Sequence, residues 1–127
     1  MNTTTVRPAT VPSAALLSSW NSYSWKDGVC LDRLAALDRV TVLTRNSTYE
    51  IVVLSAATGD VLVRGGALFP GFTPVRLAGS TLGGSFLKLR SIYVGFHMEF
   101  ATSGGVVITS PVGTIAVWSG TVSSRIM

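Results

Sequence analysis

Short apolar runs separated by glycine, proline and small polar residues recur along the chain from residue 39 to residue 118. Many of the runs are rich in β-branched residues or alternate apolar with polar positions, which is the two-residue period of a strand. Turn-forming residues stand between them at intervals of about ten residues. The pattern predicts strands at residues 39–45, 49–54, 61–64, 75–77, 86–90, 92–100, 106–109 and 114–118.

A helical period precedes these strands. Leu31, Leu34 and Leu37 recur at three-residue spacing, and Asp27 stands where it can cap a helix. The spacing predicts a short amphipathic helix of two or three turns near the N-terminus. Cys30 would lie on this helix as a small buried residue.

Two features of the strands indicate a curved sheet. The apolar positions change phase near Ser91, which is typical of a bulge or of the tight bend at a barrel corner. Proline cannot donate a ladder hydrogen bond, so we expect residues 69–74 to form a loop and Pro111 to end a strand. Residues 79–85, rich in glycine, are expected to form a second loop. The fold class is therefore all-β, a small antiparallel barrel or sandwich of about six to eight strands with a short N-terminal helix.

The chain of 127 residues fits one domain that can bury a core. Residues 1–28, rich in Thr, Ser, Ala and Pro, are expected to form a flexible arm. Trp20, Tyr23 and Trp25 within that arm are costly to leave in water, so we expect them to dock on the domain or on a neighbouring subunit. We expect residues 29–120 to form the β-rich domain and residues 121–127 to form a C-terminal tail.

Composition narrows the function classes. Hydrophobic residues make up 47% of the chain and charged residues 13%, which excludes a disordered chain and predicts exposed apolar surface for a partner or another copy. No apolar run approaches the 18 or so residues of a spanning helix, and the N-terminus has no secretory signal pattern. These features predict a cytoplasmic protein without a membrane partner. The single cysteine excludes an internal disulfide.

The net charge of +4 is a weak basic signal. Nucleic-acid-binding proteins usually concentrate Lys and Arg in one patch. Here the arginines are spread almost evenly along the chain, at Arg33, Arg39, Arg45, Arg64, Arg76 and Arg90. A nucleic-acid partner therefore requires that folding gather them on one face.

One histidine, one cysteine and six carboxylates offer little material for catalysis. His97 and Glu99 share one face of a predicted strand and could form half of an acid–base site. A half-exposed surface pair is the favoured alternative. The glycine spacing of residues 79–84 resembles a phosphate loop but lacks its lysine and helix, which indicates a structural turn. We expect no catalytic residues, no metal site and no cofactor.

The hairpin tip at residues 44–49 carries hydroxyl, amide, guanidinium and aromatic groups together. Such groups could bind a phosphate, a sugar or a stacked base. The alternative is that Asn46, Ser47 and Thr48 are present because their side chains bond their own backbone in turns. Residues 109–111, Thr-Ser-Pro, form a second polar corner. The candidate ligand-binding residues are Thr44, Arg45, Asn46, Ser47 and Tyr49.

Four motifs occur in fixed order: residues 44–50, 61–66, 79–85 and 109–112. The set resembles short conserved bacterial β-rich proteins of unassigned function, over roughly residues 31–118. The resemblance implies a β-rich module of bacterial origin and implies no activity. A more distant resemblance is to Sm-like small β-barrels, which place a helix before a strongly bent antiparallel sheet and form rings. The RNA-binding signatures of that family cannot be placed here, so no RNA-contacting residue follows from the likeness.

The leading hypothesis is a non-catalytic binding or assembly module that acts as a homo-oligomer, with an unknown ligand. One alternative is a nucleic-acid-binding Sm-like small barrel that uses its arginines together with Tyr49 or Tyr93 as stacking platforms. The other alternative is an enzyme centred on His97 and Glu99.

Overall fold

The computed structural model of the chain describes residues 4–5, 27–82 and 86–120. Within these residues the chain forms strands and one short 3₁₀ helix at Leu31–Arg33, and no α-helix. The all-β prediction is therefore confirmed. The strands are β1 (Thr4–Thr5), β2 (Gly28–Cys30), β3 (Arg39–Thr44), β4 (Thr48–Ser55), β5 (Asp60–Gly65), β6 (Phe69–Leu82), β7 (Phe86–Leu89), β8 (Ser91–Tyr93), β9 (His97–Thr102) and β10 (Gly105–Trp118).

Antiparallel pairing closes six of the described strands into a ring, so the chain forms the barrel, one of the two architectures that the sequence predicted. The order around the ring is β10, β3, β4, β5, β6 and β9, and β9 pairs with β10 again. β7 extends the sheet from β6, and β1 extends it from β10. β2 and β8 form a separate two-stranded sheet.

Two long strands make the corners of the barrel. The first half of β6 pairs with β5 and its second half with β9, and the first half of β10 pairs with β9 and its second half with β3. The register shifts within each of these pairings. Such irregularities bend a strand and increase its twist, which lets one strand serve two sides of a small barrel.

The core fills the inside of the barrel because apolar residues alternate along β3, β4 and β5. Directly paired residues point to the same side of a sheet, so Val40, Ile51 and Val63 form one inward row across three strands. All three are fully buried. The Phe100 ring belongs to the same core, with its centroid 6.5 Å from that of Tyr49 and 5.8 Å from that of Phe69.

The predicted helix of two or three turns is not seen. Residues Leu31–Arg33 make a single 3₁₀ turn, and Leu34 is already extended. Long-range hydrogen bonds override the leucine spacing: Leu31 N donates to Arg90 O at 2.7 Å, and Leu37 N donates to Val53 O at 2.7 Å. Cys30 ends strand β2 and does not lie on a helix.

The prolines do not interrupt the sheet as expected. β6 begins at Phe69 and runs through the predicted loop, with Pro74 opposite Leu62. Among the described strands only β5 pairs with this half of β6. The N–H groups on the other side of the strand need no partner strand, so proline, which lacks an N–H, is tolerated there. Pro111 likewise lies inside β10, opposite His97, and coincides with a register shift where the strand changes partner.

The phase change near Ser91 does mark a bend, because Arg90 between β7 and β8 has a φ of 49°. The predicted strand at 92–100 is interrupted by a turn at residues 94–96. The first four residues of the predicted glycine-rich loop at 79–85 belong instead to β6, which continues to Leu82, and residues 83–85 lie outside the described residues. The docking of Trp20, Tyr23 and Trp25 and the tail at 121–127 lie outside the described residues.

Candidate functional site

The tip of the β3–β4 hairpin is closed by its own polar groups. Thr44 N donates to Ser47 O at 2.8 Å, and Ser47 N donates to Thr44 Oγ1 at 3.1 Å. The Thr44 hydroxyl in turn donates to Ser47 O at 3.1 Å. Side chains that bond their own backbone in this way are typical of turns.

The same tip is joined to the bend of β10. Arg45 N donates to Pro111 O at 3.0 Å, and Asn46 N donates to Ser110 Oγ at 3.2 Å. Ser110 Oγ donates to Thr44 Oγ1 at 2.9 Å. The polar hairpin tip at residues 44–49 and the polar segment at residues 109–111, which are separate in the sequence, therefore meet in one cluster. We call this cluster the polar corner: Thr44, Arg45, Asn46, Ser47, Thr109 and Ser110.

Four of the five candidate ligand-binding residues lie in this polar corner, and the fifth does not. Arg45 and Asn46 are exposed, and Thr44 and Ser47 are partly buried. Tyr49 has an exposed fraction of 0% because it points into the barrel core. Its ring therefore offers no surface on which a base could stack.

His97 borders the polar corner from β9. Its Nδ1 lies 2.6 Å from Thr109 O, and since a carbonyl oxygen only accepts, Nδ1 carries the proton in this contact. The fully buried Thr109 also accepts a hydrogen bond from Met98 N at its Oγ1, at 3.0 Å. The ring of His97 is thus oriented by the barrel wall.

Glu99 lies on the same side of β9, two residues from His97, and is partly buried. This burial raises the pKa of the Glu99 carboxyl, because desolvation disfavours the charged form. The structure gives no hydrogen bond between His97 and Glu99 in the part of the chain that it describes. Both residues occupy one face as predicted, without the convergence that an acid–base pair requires.

Metal-binding groups do not cluster within residues 27–82 and 86–120, where no three His, Cys, Asp or Glu side chains lie close enough to share an ion. The Cys30 Sγ lies 3.6 Å from the Tyr93 hydroxyl oxygen, in a partly buried contact between β2 and β8. This contact gives Cys30 a packing role.

A second surface lies on the outside of the barrel, where apolar side chains are exposed. Register pairing places Trp118, Arg39, Val52, Leu62 and Pro74 in one outward row across β10, β3, β4, β5 and β6. Trp118 has an exposed fraction of 60%. We call this row, together with the neighbouring exposed residues Leu37, Leu54 and Phe72, the apolar outer face.

Charged residues on this face are arranged around Phe72. The Arg64 guanidinium lies 4.3 Å from the centroid of the Phe72 ring, and that of Arg39 lies 6.0 Å from it. Arg64 also donates two hydrogen bonds to Glu50. These bonds lower the pKa of the Glu50 carboxyl, and the charges of Arg64 and Arg39 lower it further.

Two concavities flank the outward row. One, of about 350 Å³, is lined by Arg39, Val40, Thr41, Glu50 and Trp118. The other, of about 460 Å³, lies toward β6 and β9 and includes Leu54, Pro74 and Arg76. Neither concavity contains His97 or Glu99.

Sequence reasoning missed Trp118 and Phe72 as surface residues. Trp118 gave no clear signal, because both faces of the last predicted strand are apolar, and Val117 on the opposite face is also exposed. Phe72 gave none either, since it follows Gly71 in a segment interpreted as a loop.

The chain matches no protein-family model, no curated protein and no solved structure in comparisons with each. None of the described residues forms a helix long and apolar enough to cross a membrane. Function must therefore be inferred from the polar corner and the apolar outer face themselves.

Proposed function

We propose that this protein is a non-catalytic binding or assembly module that acts as a homo-oligomer. The observation that carries the proposal is the apolar outer face, where Trp118 and Leu54 are exposed on a sheet whose other side packs the core, beside the exposed Leu37 in the turn before β3. Contiguous exposed apolar patches on small domains mark sites of association.

The chemistry of the polar corner supports a non-catalytic role. Thr44 and Ser110 use their hydroxyls to join the hairpin tip to β10. His97 bonds a backbone carbonyl, and Glu99 lies beside it without bonding it. An enzyme would need a nucleophile or base held toward an open cleft, with a third group converging on it.

Light scattering coupled to size-exclusion chromatography tests the proposal on the intact chain. We expect a mass that is a multiple of 13.4 kDa and that falls on dilution. A mass of 13.4 kDa at every concentration would refute the homo-oligomer.

A nucleic-acid-binding barrel is the second candidate, favoured by the position of three arginines on one side of the barrel. Arg39, Arg64 and Arg76 lie on or beside the apolar outer face with exposed aromatic rings. Against it, Glu50 bonds Arg64, and Asp60 lies 3.9 Å from Arg76. Binding of single-stranded oligonucleotide that weakens steeply with salt would favour this candidate over the first.

A further inference from the structure

We propose that the apolar outer face binds the same face of a second copy of this chain, with Trp118 of each copy seated in the concavity beside Trp118 of the other. This inference rests on the proposed homo-oligomer and specifies which surface forms it. A twofold axis that relates the two copies makes each contact occur twice.

The composition of the face is that of a protein interface. Tryptophan, phenylalanine and arginine are enriched at interface centres and at the residues that contribute most to affinity, whereas lysine is depleted. Trp118, Arg39 and Phe72 lie together here, beside the aliphatic residues Val52 and Leu62. A lipid surface would instead favour Lys and Arg without acidic residues, whereas Glu50 and Asp60 lie beside the arginines here.

The charged residues on and beside the face include both signs, so the charge pattern of one copy can be complementary to that of a second copy. Arg39, Arg64 and Arg76 contribute positive charge, and Glu50 and Asp60 contribute negative charge. A twofold axis can place arginines of one copy opposite carboxylates of the other, which a face of one sign could not do. The same carboxylates would repel the phosphates of a nucleic acid, so a second copy fits this face better.

The shape of the face also suits a twofold contact. Trp118 is 60% exposed, and the concavity of about 350 Å³ beside it is lined by Arg39, Thr41 and Glu50. A protruding aromatic residue next to a recess of this size lets two copies exchange side chains reciprocally. Buried aromatic anchors in such recesses dominate the energetics of many interfaces.

The size of the face predicts a weak dimer. Five strands spaced by about 4.8 Å make it about 19 Å wide, and a roughly square patch of this width buries about 700 Å² over the two copies, below the roughly 1,200 Å² at the lower limit of a standard interface. We therefore expect dissociation on dilution.

The test measures the dimer dissociation constant of the intact chain by sedimentation equilibrium for Trp118→Ala, Leu54→Glu and Leu89→Ala. Leu89 is 61% exposed, as exposed as Trp118, but lies on β7, outside the apolar outer face, and serves as the matched control. We expect each of the first two changes to weaken the dimer by more than about tenfold and the control by less than about threefold. Circular dichroism and the melting temperature establish that each variant is folded.

The outcomes separate this interface from the proposed function. An oligomer that withstands both Trp118→Ala and Leu54→Glu, with both variants folded, would overturn the interface while leaving the homo-oligomer intact. A wild-type monomer would overturn both. A wild-type monomer that dimerises only when the chain ends at Gly120 would show that residues 121–127 occupy the face. A wild-type monomer that binds oligonucleotide, and loses this binding in Trp118→Ala, would show that the face binds nucleic acid. Each of these last two results would overturn the proposal that a second copy occupies the face.

Discussion

Ser110 Oγ donates a hydrogen bond to Thr44 Oγ1 at 2.9 Å across 66 positions of sequence. Pairing between β10 and β3 starts at this point, because Val112 is the register partner of Thr44. The polar corner thus lies where β10 leaves β9 for β3, at the junction that closes the ring. Polar residues that resemble a ligand site in the sequence serve here to hold two strands together.

Thr44→Val should destabilise the fold by about 1 to 3 kcal/mol. The change keeps the shape of the side chain but removes the hydroxyl oxygen that accepts from Ser47 N and Ser110 Oγ, which leaves these two donors without that acceptor. Urea denaturation measures the free energy of unfolding. Thr114→Val, at an exposed position of β10, is the control and should change stability by less than about 0.5 kcal/mol. Equal losses in the two variants would show that the polar corner does not close the barrel.

Asp38→Asn should lower the free energy of unfolding by about 1 to 3 kcal/mol, because the Asp38 carboxylate accepts hydrogen bonds from two backbone segments. Asp38 Oδ2 accepts from Ala35 N at 2.8 Å, and Oδ1 accepts from Gly120 N at 2.9 Å. An amide has one acceptor oxygen and cannot satisfy both N–H groups. Asp27→Asn, at an exposed position, is the control. An unchanged free energy of unfolding in Asp38→Asn would indicate that these two hydrogen bonds contribute nothing to stability.

Gly79→Ala should destabilise the barrel by about 2 to 4 kcal/mol, since it combines backbone strain with a clash. Gly79 has a φ of 150°, and a Cβ there would overlap the backbone carbonyl oxygen of Lys88 on β7. Gly71→Ala provides the comparison, because a Cβ at Gly71 meets no atom within 4 Å. Thermal unfolding of the pair measures the difference, and similar melting temperatures would contradict the expectation.

Local sequence patterns predicted the strands of the β3–β4 hairpin but not the conformation of residues 31–37. The alternation at residues 39–54 and the turn residues between its strands gave β3 and β4 nearly to the residue, because one face is buried and the hairpin is short. The leucine spacing at 31–37 failed because the hydrogen bonds that Leu31 N and Leu37 N donate to the carbonyl oxygens of Arg90 and Val53 decide that conformation. No local pattern contains those partners.

The candidate site was predictable to a similar extent. The hairpin tip was located correctly. Its hydrogen bond to Ser110 was not predictable, because it depends on how β10 bends, and Pro111 in the sequence indicated only the end of a strand. The burial of Tyr49 could have been inferred, because it alternates in phase with Ile51 and Val53, which line the core. The exposure of Trp118 could not be inferred in this way, because Val117 on the opposite face of β10 is exposed as well.

Glu99 and Glu50 should respond to pH with opposite signs, because their surroundings shift the carboxyl pKa in opposite directions. Partial burial raises the pKa of Glu99 in the folded state. The folded state then binds this proton more tightly than the unfolded state, so the contribution of Glu99 to stability is greatest below the ordinary pKa of about 4.3 and is lost as pH rises through the raised value. Glu99→Gln should therefore be more stable than wild type at pH 7, and the difference should vanish in acid.

Glu50 provides the opposing case within the same protein. Its bonds to Arg64 lower its folded pKa, so its contribution is present above about pH 4.3 and is lost as pH falls through the lowered value. Glu50→Gln should consequently be less stable than wild type at pH 7, by an amount that salt reduces because the pair is exposed. Urea denaturation of both variants and wild type across this pH range measures the two differences. If Glu99→Gln is instead less stable than wild type at neutral pH, the folded state does not raise the pKa of Glu99, and its partial burial is outweighed by favourable contacts of the carboxylate.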